Sequence, residues 1–125
     1  MGLFYFRQLP EIYRQKMALI YHLIRQDEWH GFLEADVYEP QSLQTEGFIH
    51  FSTREQVLAT AGRFFAEESE LVAIEIPEKR LKPHLRYEPT PDGEDFPHLY
   101  AALELDLIEE VRLLVKDQSG NWTWG

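Results

Sequence analysis

Five histidines carry most of the proton chemistry open to this chain near neutral pH: His22, His30, His50, His84 and His98. Two of them interrupt apolar patterns. In LIYHLI, His22 takes the same alternate positions as Ile20 and Ile24; in GFIHFST, His50 shares a face with Phe48 and Ser52 while Ile49 and Phe51 take the other. A buried ring nitrogen without a hydrogen-bond partner costs about 1–3 kcal/mol. Each ring therefore needs either a main-chain carbonyl, as in a satisfied core histidine, or a polar cleft that a ligand shares. His98, which follows the loop PDGEDFP, is a third ring that one cleft would satisfy. His30 lies in a charged segment and His84 follows Pro83, and both are expected to face solvent.

Other chemistries have less support. No H-x-x-x-H or H-E-x-x-H spacing is present, so no metal site is assigned. Zinc would need the fold to gather His22, His50 and His98, with Glu75 or Asp95 as a fourth ligand. His50-Phe51-Ser52 matches one half of the paired H-x-[S/T] pattern of two-histidine phosphoesterases; the matching positions after His22 and His98 hold Ile24 and Tyr100. No G-x-S-x-G elbow or Gly-rich phosphate loop occurs. The absence of cysteine removes thiolate catalysis, thiolate metal sites and disulfides, and fits a reducing compartment.

The elements that must hold these rings follow from periodicity. Residues 18–24 read as a strand, 25–35 as a short helix burying Trp29, Phe32 and Leu33, and 70–77 as a strand stopped by Pro77. Residues 54–67 form the clearest helix, with Val57, Leu58, Ala61, Phe64 and Phe65 on one stripe. Ser52 or Thr53 would cap it in a capping box with Glu55 or Gln56, and the orphan N–H groups beside His50 could receive a phosphate. PTPDGEDFP reads as a rigid acidic loop, DQSGN as a hairpin turn, and NWTW as the last strand. The order lacks regular β-α alternation, which points to an α+β fold with mainly antiparallel strands.

A chain of 125 residues with 44% hydrophobic residues supports one folded domain, here 17–125, preceded by an extension at 1–16. Twelve basic residues against 22 acidic ones give a net charge of −10, which disfavours nucleic-acid partners. No run approaches the ~18 apolar residues of a membrane span, and no signal peptide is evident; the expected location is cytoplasmic.

The segments IYHLI, SLQTEGFIHFST, EQVLATAGRFF, LVAIEI and RYEPTPDGEDFPHLYAAL together resemble the bacterial family called domain of unknown function 952, from about Leu19 to Leu114. That family is distantly similar to the ADP-ribosyltransferase superfamily, nearest its RNA 2′-phosphotransferase branch. The resemblance implies two small, mainly antiparallel sheets around a cleft with two flanking helices. It also implies that His22 and His50 contact ribose, with His98 and Tyr100 at the position of the third motif. The resulting expectation is a histidine-lined cleft that binds NAD, ADP-ribose or a related ribose-phosphate nucleotide. His22, His50 and His98 would be catalytic if the domain is a transferase, and His22, His50, Ser52, Thr53 and Tyr100 would bind the ligand. The rival expectations are a metal-dependent or two-histidine phosphoesterase, and a noncatalytic interaction domain dimerising through the hairpin at Trp122 and Trp124.

Overall fold

The computed structural model describes Pro10 and residues 18–125. Apart from Pro10, the extension at 1–16 lies outside the described residues. Leu19–Ile24 forms β1, and its alternation sorts it between two cores: Ile20 and Ile24 enter one, Tyr21 and Leu23 the other. Beside it runs β5 (Glu70–Pro77), whose near-continuous apolar sequence is explained by cover on both faces. Val72, Ile74 and Ile76 join the first core, and Leu71 and Ala73 the second.

These strands centre a five-stranded antiparallel sheet in the order β10-β9-β5-β1-β4, completed by β4 (Ser52–Thr53), β9 (Glu110–Lys116) and β10 (Trp122–Trp124). A second sheet has the order β3-β7-β6, with β3 (Ile49–His50), β6 (Leu85–Pro89) and β7 (Asp95–Leu99). A third pairs β2 (Val37–Tyr38) with β8 (Leu103–Glu104). The α+β class and the antiparallel pairing agree with the sequence. The expected two sheets are instead three among the described residues, the third being the β2–β8 pair; between the first two the chain crosses at Phe51, whose N–H donates to Pro97 O, in β7, at 2.9 Å.

Among the described residues three short α-helices stand where a pair was expected: α1 (Gln26–His30), α2 (Gln41–Thr45) and α3 (Val57–Phe64). The first stops at Gly31, so Trp29 is buried while Leu33 stays 53% exposed. The third starts late because Thr53 is held opposite Ile20 in the ladder, leaving residues 54–56 as a turn. Of the expected capping box only the return half forms, with Thr53 N–H donating to Gln56 Oε1 at 3.0 Å.

Among the described residues two carboxylates are buried with partners. Glu75 accepts from Tyr21 OH at 2.8 Å, directly across the β1–β5 ladder, and from Arg112 at 3.3 Å. Glu109 pairs with Arg80 at 3.0 Å. Trp122 joins the second core beneath α3, and Trp124 lies 5.2 Å from the Tyr21 ring with the Arg112 guanidinium 4.3 Å above it. Both C-terminal tryptophans are thus engaged within the chain.

Candidate functional site

The second sheet builds the site. After α2, the N–H groups of Glu46 and Gly47 both donate to Ser42 O, and Gly47 takes φ +89, a left-handed conformation glycine adopts without Cβ strain. That turn delivers Phe48 and then β3. In the ladder His50 stands opposite His98, and His98 opposite Arg86. Directly opposed side chains project from the same face, so His50, His98 and Arg86 make one row across the sheet.

The rings on this face are close. His50 and His98 centroids lie 5.4 Å apart at 78°, and Phe48 stacks on His98 at 4.0 Å and 16°. Tyr100 lies 5.2 Å from Phe48, and the Arg86 guanidinium sits 5.1 Å over the Tyr100 ring. Each imidazole also has its own carboxylate. Glu46 Oε2 is 2.6 Å from His50 Nε2, and Glu88 Oε1 is 2.8 Å from His98 Nδ1. An ionised carboxylate only accepts, so His50 carries its proton on Nε2 and His98 on Nδ1. The opposite nitrogens, His50 Nδ1 and His98 Nε2, make no hydrogen bond among the described residues and can serve a ligand. Tyr100 OH donates to the same Glu88 oxygen. Hydrogen bonds from Tyr100 and then His98 hold the Glu88 carboxyl below its ordinary range, and the bond to Glu88 raises the Tyr100 phenol.

His22 is placed differently. It is buried, with Nδ1 2.6 Å from His50 O and Nε2 2.8 Å from Tyr38 OH. A carbonyl only accepts, so Nδ1–H donates to it and Nε2 accepts from the tyrosine. Burial lowers its pKa from 6.5 to about 4 and keeps the ring neutral. Both nitrogens are used, and none is left for a ligand. Burial likewise raises the Tyr38 phenol.

Ser52 and Thr53 also stand apart from the row. The chain changes sheets between His50 and Ser52, so the expected shared face ends at His50. Ser52 is opposite Tyr21, and its hydroxyl donates to Thr60 Oγ1 at 2.9 Å. His30 and His84 are exposed, as expected. The acidic loop is tied down: Arg63 pairs with Asp92 at 2.8 Å, and Gln56 Nε2 donates to Glu94 and to Asp95 O. Of the residues named from sequence, the fold gathers His50, His98 and Tyr100 and separates His22, Ser52 and Thr53 from them. The reading put Phe48 on the His50 face without giving it a role, and it missed Glu46, Arg86 and Glu88, which only the α2 turn and the β6–β7 register bring close.

Among the described residues no group of three His, Cys, Asp or Glu could hold a metal ion. A cavity of about 280 Å³ at the C-terminal end of α3, lined by Arg25, Arg63, Phe64, Phe65, Glu67 and Glu68 among others, includes none of the site residues. No helix among the described residues is long and apolar enough to cross a membrane.

The family described as protein of unknown function (DUF952) matches residues 23–111, which take in the whole row and its carboxylates. The chain belongs to that family. This DUF952 chain is similar to CC0527 from Caulobacter crescentus. The crystal structure of CC0527 gives a TM-score of 0.75 at 29% identity, covering 84% of this chain and 93% of that one. Its solution NMR structure gives 0.73 at 30% identity, covering 82% and 90%. No curated protein matches the chain.

Proposed function

We propose that this DUF952 protein binds a ribose-phosphate nucleotide of the NAD or ADP-ribose type on the open face of β3-β7-β6. The observation that carries the reading is the cross-strand pair His50–His98, 5.4 Å apart and bordered by Phe48 and Tyr100. His50 Nδ1 and His98 Nε2 hydrogen-bond ribose hydroxyls. A base or nicotinamide ring stacks on the exposed edge of the Phe48–Tyr100 cluster, and Arg86 holds a phosphate. The likeness to an ADP-ribosyltransferase fold belongs to the same proposal. In it, ligand contact moves from His22, Ser52 and Thr53 to Phe48 and Arg86. Isothermal titration with NAD, ADP-ribose and a 2′-phosphorylated nucleotide tests it. Binding to one of them, weakened tenfold or more by His50→Ala and by His98→Ala, is expected; absence of heat with all three removes the ligand class.

A second reading, phosphoester cleavage, is favoured by the two carboxylate-held imidazoles. One takes a proton from the attacking water as its oxygen bonds to phosphorus, and the other, protonated, gives one to the departing oxygen. Phosphoester hydrolysis that persists in chelator and disappears in either alanine variant would select this reading.

A further inference from the structure

The register Ile20↔Thr53 and Tyr21↔Ser52, continued by one step, would pair His22 with Phe51. That pair does not form, because Phe51 bonds to Pro97 in the other sheet. The strand carrying residues 49–53 thus parts from β1 at this step, and a side chain bridges the gap in place of the backbone. His22, whose own backbone lies in the five-stranded sheet opposite Ile74, donates through Nδ1 to His50 O in the three-stranded sheet and accepts at Nε2 from Tyr38 in the two-stranded one. One buried imidazole therefore touches all three sheets. The carbonyl it grips belongs to the residue whose ring faces His98.

We propose that His22 is a positioning residue: its Nδ1–H bond to the His50 carbonyl fixes where β3 leaves the large sheet and so sets His50 against His98, without touching ligand. Asparagine carries an N–H at the place of Nδ1–H, and leucine has nearly the same shape without the donor.

Proton NMR reads the arrangement as a nuclear Overhauser effect between the His50 and His98 rings. The effect is expected in the wild type, retained in His22→Asn and lost in His22→Leu, while the methyl signals of Leu71 and Leu114 in the second core stay in place. Retention in both variants, or loss in both, overturns the proposal. If His22→Leu does not fold, the wild type still decides. A coupling across the hydrogen bond from His22 Nδ1 to the His50 carbonyl carbon is expected, and its absence refutes the role. None of these measurements uses a ligand, so failure of the nucleotide titration would leave them standing.

Discussion

Acidification should weaken the fold through His22, and the size of the effect follows from its surroundings. In the unfolded chain the ring titrates near 6.5; in the folded protein burial lowers this to about 4. A proton added to the folded form would sit on Nε2, where the Tyr38 hydroxyl now donates, and would leave a cation beside Tyr38 and Phe51. The folded pKa is the lower one, so the contribution is complete above pH 6.5 and is lost as the pH falls. Between pH 6.5 and about 4 the unfolded chain takes the proton first, and stability declines by about 1.4 kcal/mol per pH unit. The total is about 3 kcal/mol. Urea unfolding of wild type and His22→Asn at intervals from pH 7.5 to pH 4 isolates the effect, because asparagine does not titrate and, by keeping the N–H that holds the His50 carbonyl, leaves the other titrating groups in the same surroundings. The stability difference between them should shift against the wild type by about that amount. A difference that stays constant with pH would refute the buried, neutral assignment.

Leu99→Ala removes a fully buried side chain one residue from His98 and should cost about 2–5 kcal/mol in chemical denaturation. Gly47→Ala should cost about 1–2 kcal/mol from backbone strain alone, since its φ is +89 and a Cβ there meets nothing within 4 Å; thermal unfolding measures it. In Glu88→Gln the Tyr100 phenol should ionise at lower pH than in the wild type, because the carboxylate that raises it is gone. NMR titration of ring-labelled tyrosine reads that shift.

Much of the frame was legible because it is local. ELVAIEIP and LIYHLI announce central strands by composition and alternation, and DQSGN announces the β9–β10 hairpin, with Gly120 at φ +82. The start of α3 was not legible, since the apolar stripe says nothing of Thr53 being held by Ile20 across the ladder. Alternation also failed at Ser52, because it assumes a strand that stays in one sheet. The histidines divide in the same way. Periodicity placed His22 in the interior, but whether a carbonyl or a ligand satisfies a buried ring is a matter of tertiary contact; here the His50 carbonyl and the Tyr38 hydroxyl do so. Glu46 and Glu88 look in sequence like ordinary surface carboxylates. A turn at Gly47 and a diagonal reach across β6–β7 bring each to its imidazole.

The transfer at Phe51 makes the length of this segment rigid. His50 answers to one ladder and Ser52 to another, with a single residue between them, so there is no slack to absorb a change in spacing. An added residue there would turn either the imidazole or the serine to the wrong side, whereas the tip around Gly93 could lengthen without disturbing either register. Lineages of this protein should therefore accumulate insertions at the hairpin tip and leave the spacing from His50 to Ser52 unchanged.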